Sequence, residues 1–411
     1  MSRPTSYRQL FSIENVPALF IAACLSRLAG RMFTLGIILY AFAHFHSPVI
    51  AGWVSFAAFT PGLVVSPIAG VLLDRIGPVR AIAVDMVMGA VFLLALVAAD
   101  WLEIANIVVV LVLVSLFALT SPLGASGVRT LLPRLVPQHS LDRANALDTA
   151  IYGLVDVVGP ALTGLLVGFV GSKETLALIA LIYAAAALAV SRVRHSRSLI
   201  VTRLPLLRDA REGVVNVLRQ PILRGLAASY SLYQVTWGIL VVAVPVSARG
   251  IFPPAMADVV TGLLWTASGI AGGVGALIAG QIQTTGRERA TMLFGMIVTA
   301  VAAWPIATGF GLPGLVLGLI LVGLFAGPID VGHLTLRQKN IEPGNLGRDL
   351  SIHMHLNMVG LPVGSAIGGL LVSWSLPTTF LLAGLASVIA AATARVLIPI
   401  DAQHISQPRE C

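Results

Sequence analysis

Gly159-Pro-Ala-Leu-Thr-Gly-Leu-Leu166 has a counterpart in Gly364-Ser-Ala-Ile-Gly-Gly-Leu-Leu371, about 205 residues further along the chain. Just upstream, Ser140-Leu-Asp-Arg143 corresponds to Asn345-Leu-Gly-Arg348 at the same offset. Two segments that recur in the same order at one offset indicate a duplicated chain. In a duplicated helical membrane protein, the natural place for a solute is between the halves, near the bilayer midplane.

The composition is typical of a protein that is embedded in lipid. Hydrophobic residues make up 57% of the 411 residues, charged residues make up 11%, and the mean hydropathy is +0.92. A soluble domain needs more polar surface than this composition provides. The 40 glycines and 23 prolines are tolerated in membrane helices, because neighbouring helices satisfy the freed backbone groups. We therefore predict an all-α membrane protein.

Hydropathy predicts twelve transmembrane helices, each able to cross a hydrocarbon core of about 30 Å. If the N-terminus is cytoplasmic, 21 of the 26 Lys and Arg residues lie on the cytoplasmic side, while Lys173 and Arg249 lie in outer loops. This asymmetry predicts that both termini are cytoplasmic. We therefore interpret the basic residues as topology signals rather than as a nucleic-acid patch. The predicted spans are 16–42, 47–73, 81–99, 104–127, 143–170, 174–191, 223–248, 258–282, 290–308, 313–336, 349–373 and 377–399.

One long polar segment divides the chain into two halves. We predict an N-terminal six-helix bundle at 1–191, a cytoplasmic linker loop at 192–222, and a C-terminal six-helix bundle with a short tail at 223–411. Six spans return the chain to its starting side, so the halves share one orientation. They are therefore predicted to be pseudo-symmetric about an axis along the membrane normal.

The loop between predicted spans two and three carries a distinctive motif. It reads Gly70-Val-Leu-Leu-Asp74-Arg75-Ile-Gly77-Pro-Val-Arg80, and its glycines suit a tight turn and close helix approach. The motif resembles the signature loop of the major facilitator superfamily, and the resemblance covers essentially the whole chain. It implies the major facilitator fold, with 12 transmembrane helices in two six-helix bundles.

The same resemblance implies a gating role for this loop. Asp74 would face the N-terminal end of span eleven, near 347–350, and latch the cytoplasmic side. The alternative is a topology-setting turn whose surface ion pairs contribute little. The second-half counterpart, Gly280-Gln-Ile-Gln-Thr-Thr-Gly286-Arg-Glu-Arg289, keeps the glycines and basic residues but lacks the Asp-Arg pair.

Further segments narrow the resemblance to bacterial exporters of the macrolide-efflux and enterobactin-exporter type, which are drug:proton antiporters. These segments are Leu131–Pro137, Leu141–Leu147, Gly159-Pro160 and Arg208–Pro221. The resemblance implies secondary active transport by alternating access in a bacterial inner membrane. The chain departs from this group in span one, where it has Gly30-Arg31 instead of the frequent Gly-Asp. Its only span-four arginine, Arg129, lies at the cytoplasmic end.

Three charged residues fall inside predicted spans. Arg27 and Arg31 share one face of span one, about 16 and 22 Å deep, and Asp156 lies about 20 Å deep in span five. A charge at such depth costs about 2.5–3.5 kcal/mol, so each should face a cavity or a charged partner. Three interpretations stay open: an Asp156–arginine pair that pins two helices, arginines that contact an anionic substrate, or an Asp156 that takes up a proton during turnover.

Span seven carries a stripe of aromatic and polar residues. Tyr230, Tyr233, Gln234 and Trp237 are spaced i, i+3, i+4 and i+7, which places them on one helix face. By family resemblance this helix lines the central cavity, and aromatic rings with polar tips suit amphipathic ligands. Core packing between helices is the alternative.

A second polar group lies near the cytoplasmic ends of spans ten and eleven. It consists of Asp330, His333, His353 and His355. Histidine titrates near neutrality, so the group is a candidate cytoplasmic-side gate or proton relay. No metal site is predicted, because His353 and His355 point about 200° apart on a helix.

Together these patterns predict a secondary active transporter that exports a small hydrophobic or amphipathic organic molecule. The proton is a candidate coupling ion, and no other cofactor is expected. Alternatives are a transporter that imports or exports an organic anion through Arg27 and Arg31, and a non-transporting membrane receptor or scaffold. No enzyme is predicted, since neither a catalytic constellation nor a Walker A lysine motif is found. We expect a small-molecule substrate, a surrounding lipid bilayer, no nucleic-acid partner and a monomer.

Overall fold

The computed structural model describes residues 7–137, 140–193, 215, 219–282, 286–307, 310–340 and 356–399. Over these ranges the chain forms thirteen helices and no β-strand. The short helix α1 (Tyr7–Phe11) comes first, and the next twelve correspond to the twelve predicted spans. In the first half they are α2 (Val16–Phe45), α3 (Pro48–Ile76), α4 (Pro78–Trp101), α5 (Ile107–Leu135), α6 (Leu141–Phe169) and α7 (Ser172–Ser191). In the second half they are α8 (Pro221–Ile251), α9 (Pro254–Gln281), α10 (Glu288–Ala307), α11 (Gly311–Asn340), α12 (Gly360–Val372) and α13 (Leu376–Leu397).

Ten helices in the described part of the chain are long and apolar enough to cross a membrane. The other two predicted spans correspond to α10 and to the shorter apolar helix Leu356–Val372, which contains α12. Several helices extend past their predicted ends; α5 continues to Leu135 and α11 to Asn340. Hydropathy detects only the apolar part of a helix, whereas backbone hydrogen bonding continues where the side chains become polar.

The chain falls into two compact units. The first lies within Met1–Tyr40 and Ala57–Leu206, and the second within Ala41–Phe56 and Leu207–Cys411. The second unit therefore includes the end of α2 and the beginning of α3, which a division by sequence position alone assigns to the first half. The boundaries predicted at 191 and 223 stay a prediction.

Each unit packs its own helices according to the same plan. In the first unit α4 packs against α5 and α7; in the second, the equivalent α10 packs against α11 and α13. A duplicated sequence predicts such a recurrence, because equivalent helices carry equivalent apolar faces. The all-helical fold built from two repeats is thereby confirmed.

The repeated glycines mark one close helix crossing in each unit. A Cβ atom added to Gly159 of α6 would lie 2.7 Å from the Arg31 Cβ of α2. A Cβ atom added to the equivalent Gly364 of α12 would lie 2.8 Å from the Val235 Cα of α8. Both separations are shorter than ordinary carbon–carbon contacts, so glycine is what lets these helices approach.

Glycine also forms the equivalent turn in each unit. Gly77, between α3 and α4, has φ 85°, and Gly286, before α10, has φ 78°. Residues with a Cβ atom adopt this left-handed region only at a cost. The glycines of the motif and of its counterpart therefore have the turn-forming role that their spacing predicted.

We expect Gly77→Ala to lower the free energy of unfolding by about 1–2 kcal/mol, because alanine is strained at positive φ. The added methyl group would meet no atom within 4 Å, so the loss would report backbone strain alone. Gly153→Ala, at an open position inside α6, is the matched control and should be neutral or slightly stabilising. Thermal unfolding in detergent measures both variants. Equal melting temperatures for Gly77→Ala and the wild type would contradict the prediction.

Candidate functional site

The first unit carries two ion pairs between α2 and α6. Arg27 Nη2 lies 2.7 Å from Asp148 Oδ1, and the two side chains are only 10% and 14% exposed. The same guanidinium group lies 3.7 Å from the centre of the Tyr152 ring, which adds a cation–π contact. Arg27 is therefore held by a carboxylate and an aromatic face of the same neighbouring helix.

The second pair joins Arg31 to Asp156, and it is much more accessible. Arg31 Nε contacts Asp156 Oδ1, and the side chains are 49% and 44% exposed. Charges at this depth in a membrane helix are stable only beside water or other polar groups, so this pair should face a polar space.

In the structure, Arg27 and Arg31 each form an ion pair with a different aspartate. Sequence considerations left the arginine partner of Asp156 open; it is Arg31, and Arg27 pairs with Asp148 instead. The sequence pattern did not single out Asp148. The sequence feature that could have indicated Asp148 is its spacing from Tyr152 and Asp156. These residues recur every four positions and so share one face of α6.

In the second unit, described members of the span-seven stripe and of the polar group near spans ten and eleven lie together. The Tyr230 hydroxyl donates a hydrogen bond to Asp330 Oδ1 at 2.6 Å. The His333 ring lies 4.3 Å from the Tyr230 ring, centre to centre, and His333 Nε2 lies 3.3 Å from Asn357 Nδ2. The aromatic stripe of α8 and the polar pair of α11 therefore belong to the same site.

Aromatic rings extend this cluster along α8. Tyr233 lies 5.8 Å from Tyr230 and 6.5 Å from Trp237, and Trp237 lies 5.9 Å from Trp265 of α9. Neither Asn357 nor Trp265 was singled out by the sequence pattern, because each lies on another helix. The row of rings forms a continuous aromatic surface inside the second unit.

The stripe residues differ in how accessible they are. Tyr233 is 1% exposed and Gln234 is 7% exposed, and the Gln234 amide donates to the Met358 sulfur at 3.1 Å. Their burial suits the packing alternative that the spacing left open, and their role in substrate binding stays a prediction. Tyr230 and Trp237 are only partly buried, so the protein leaves part of each ring uncovered. Their role in substrate binding stays a prediction.

Several predicted residues fall beyond what the structure describes. His353 and His355 lie outside the described residues, and so does 347–350, the predicted contact of Asp74. Gly70 and Asp74 lie in α3, and the side chains of Arg75 and Arg80 are exposed. The gating role of this motif therefore stays a prediction. Within the described ranges, no group of three or more His, Cys, Asp or Glu side chains could hold a metal ion.

A buried ion pair joins α10 to α11 in the second unit. Glu288, at the beginning of α10, is fully buried, and Lys339 Nζ of α11 donates to its Oε1 at 2.6 Å. Burial opposes the charge on Glu288, but the Lys339 hydrogen bond and nearby backbone donors outweigh it and hold the pKa of Glu288 below its ordinary value. The pair therefore stabilises the fold above the ordinary carboxyl pKa, and this stabilisation is lost as the pH falls through the lowered value.

The two basic residues of the predicted outer loops are each paired with an acid. Lys173 Nζ lies 2.7 Å from Asp100 Oδ2, and the Tyr40 hydroxyl donates to the other oxygen of Asp100 at 2.9 Å. Arg249 Nη2 lies 2.9 Å from Asp258 Oδ1. Both basic residues lie within helices rather than in loops, Lys173 in the first turn of α7 and Arg249 in the last turn of α8.

Matches to known proteins cover nearly the whole chain. The profile of the Major Facilitator Superfamily matches residues 19–251 and 226–410. The MFS-type transporter y4rN of Sinorhizobium fredii is 53% identical over 406 residues, which cover 99% of this chain and 100% of that protein. The multidrug efflux pump Tap of Mycolicibacterium fortuitum is 28% identical over 373 residues, covering 85% of this chain and 88% of the pump.

A solved structure shows the same fold. The crystal structure of a mutant of the nucleoside transporter NupG matches with a TM-score of 0.75 at 12% identity, covering 93% of this chain and 100% of that one. At this identity the likeness concerns the fold alone. The family profile, the transporter relative and the membrane-spanning helices agree on one assignment. This chain is a multi-pass membrane transporter that belongs to the Major Facilitator Superfamily.

Proposed function

We propose that this transporter exports a small hydrophobic or amphipathic organic molecule across a bacterial plasma membrane, by alternating access and in exchange for protons, with both termini in the cytoplasm. The observation that carries the proposal is the accessible aromatic surface of Tyr230 and Trp237 next to the exposed carboxylate of Asp330. Aromatic faces bind apolar ligand bodies, and a few polar groups set the ligand's orientation. The name of the Tap relatives, multidrug efflux pump, supports efflux of organic compounds.

Transport of an organic anion is the less favoured candidate. Arg27 and Arg31 would have to attract the anion, but each is already neutralised by an aspartate. An anionic ligand would have to displace a carboxylate from a guanidinium group, and separating the nearly buried Arg27–Asp148 pair would leave an uncompensated charge. A site that is neutral overall suits a neutral or amphipathic solute better.

Transport by the purified protein in proteoliposomes tests the proposal. A panel of neutral, cationic and anionic organic compounds should be assayed with and without a pH gradient across the vesicle membrane. We expect flux of one or more amphipathic compounds, accelerated when protons can move in the opposite direction. Absence of flux for every compound, or flux of anions alone, would contradict the proposal.

We expect Trp237→Ala to raise the KM for an amphipathic substrate about tenfold, because losing an aromatic contact of about 1.4 kcal/mol weakens binding by that factor. Trp374→Ala is the matched control, since Trp374 is 85% exposed at the end of α12 and should leave the KM unchanged. Concentration-dependent flux in proteoliposomes measures both values. A KM that rises equally in the two variants would contradict the prediction.

A further inference from the structure

One carboxylic acid in a membrane-spanning helix, Asp85, forms no ion pair within the described part of the chain. Asp85 lies on α4, seven residues after Pro78 and so about 10 Å along the helix, within the predicted hydrocarbon region. Arg27, Arg31 and Arg249 each pair with an aspartate of their own, but Asp85 makes no ion pair with any basic side chain in the described ranges. Asp85 was not singled out from the sequence, because the helix that carries it is strongly apolar.

Helix α5 leaves space for the Asp85 carboxyl group at Gly124. A Cβ atom added to Gly124 would overlap this group, with Asp85 Cγ only 2.9 Å away. One turn earlier, the Thr120 hydroxyl group lies close to the Asp85 side chain and donates a hydrogen bond to the Phe117 carbonyl oxygen at 3.1 Å. A glycine that leaves room and a hydroxyl group that can donate or accept together accommodate either protonation state of a carboxyl group.

Aromatic side chains of α5 and α7 pack near Gly89, one turn of α4 beyond Asp85. Tyr183 of α7 interacts electrostatically with Asp85, and its ring lies 3.3 Å from where a Cβ atom on Gly89 would be. The Phe117 ring lies 5.7 Å from the Tyr183 ring and 4.1 Å from the Phe33 ring. An isolated ionised carboxylate in such surroundings is costly, whereas the protonated form is not.

The charged side chains of α5 and α7, the helices that pack against α4, lie away from Asp85. On α5, Arg129 and Arg134 are nine or more residues beyond Thr120, toward the cytoplasmic end of the helix. On α7, Lys173 is ten residues before Tyr183 and pairs with Asp100. In the described part of these helices, the titratable group that faces Asp85 is Tyr183 alone.

We propose that Asp85 is a proton-binding site of this transporter, built by Thr120, Gly124 and Tyr183. The site takes up a proton where water reaches it and holds the proton as a neutral carboxyl group. Protonation of the carboxylate forms one O–H bond and removes one negative charge from the membrane interior. That this proton drives transport rests on the proposed function, whereas the binding of the proton does not.

Infrared difference spectroscopy tests the binding without any substrate. The full-length protein in lipid is titrated from about pH 9 to about pH 5, a range in which buried carboxyl groups are known to titrate. We expect the C=O band of a protonated carboxyl group to appear, to be absent in Asp85→Asn, and to persist in Asp258→Asn, where an ion-paired acid is replaced. A band that survives in Asp85→Asn, or one that disappears in Asp156→Asn instead, would overturn the inference.

Two further variants keep the test decisive if Asp85→Asn folds poorly. Thr120→Val removes the hydroxyl group beside Asp85 and should shift the frequency of the band. Gly124→Ala displaces the carboxyl group and should shift it too, whereas Gly153→Ala, at an open position, should not. A band unchanged by both Thr120→Val and Gly124→Ala would overturn the assignment.

Transport assays then connect the site to coupling. With a transported compound in hand, Asp85→Asn should lose the acceleration by a pH gradient while substrate exchange at equal pH continues. If the variant keeps the acceleration, Asp85 is not the coupling site and the inference is overturned in that part. If the wild type moves no compound at all, the proposed function fails, and the infrared measurement decides the binding inference by itself.

Discussion

Gly364→Ala should lower the free energy of unfolding by about 2–3 kcal/mol, because the added methyl group would be forced against the backbone of α8. Its Cβ atom would lie 2.8 Å from Val235 Cα and 2.9 Å from the Val235 carbonyl carbon, and backbone atoms cannot move aside as a flexible side chain can. Helix propensity alone predicts the opposite sign, since alanine is favoured over glycine inside a helix by about 1 kcal/mol. The sign of the change therefore separates tertiary packing from local preference.

Gly273→Ala provides the matched control for this prediction. Gly273 lies in α9 of the same unit, and an added Cβ atom would meet nothing within 4 Å. We expect this variant to be neutral or slightly stabilised. Unfolding of the purified variants in mixed detergent micelles measures both changes, and a Gly364→Ala protein as stable as Gly273→Ala would contradict the close crossing of α8 and α12.

Arg27→Ala should destabilise the first unit by about 3 kcal/mol, because the substitution leaves Asp148 charged and nearly buried without its partner. Arg31→Ala should cost less than about 1 kcal/mol, because the Arg31–Asp156 pair is nearly half exposed and screened by its surroundings. Two arginines that are four residues apart on one helix are thus expected to differ clearly in their contribution to stability.

A double-mutant cycle isolates the contribution of the pair itself. Removing both charges, in Arg27→Ala with Asp148→Ala, should be less destabilising than the sum of the two single substitutions, because no charge is then left alone. Unfolding in detergent again supplies the free energies. Additive losses, or equal losses for Arg27→Ala and Arg31→Ala, would show that the difference in burial has no energetic consequence.

Sequence reasoning was most successful where the relevant property is local. The places of the twelve spans follow from the apolar runs, since a helix that crosses lipid must be apolar along its whole buried length. The positive φ values of Gly77 and Gly286 follow from the turn that both repeats share. The close crossings at Gly159 and Gly364 occur at equivalent positions of the repeat that the sequence revealed.

The sequence did not show which side chains of different helices contact each other. Helical spacing placed Arg27 and Arg31 on one face, but the position of α6 along its axis relative to α2 decides which aspartate meets which arginine. Tyr230 and Asp330 are a hundred residues apart, and they meet because α8 and α11 are neighbours in the second unit. Spacing along one helix predicts a face, whereas a contact between helices depends on how both are placed.

By itself, the sequence determined the class of the protein, its repeated plan, its spans and its turns, because each of these depends on composition and periodicity along one stretch of chain. The tertiary structure alone decided that the half-buried Asp85 lies beside Thr120, Gly124 and Tyr183, which come from two other helices. An acid inside a helix bundle obtains its chemical character from the groups that are near it in space, and those groups are set by the packing of helices rather than by their order in the chain.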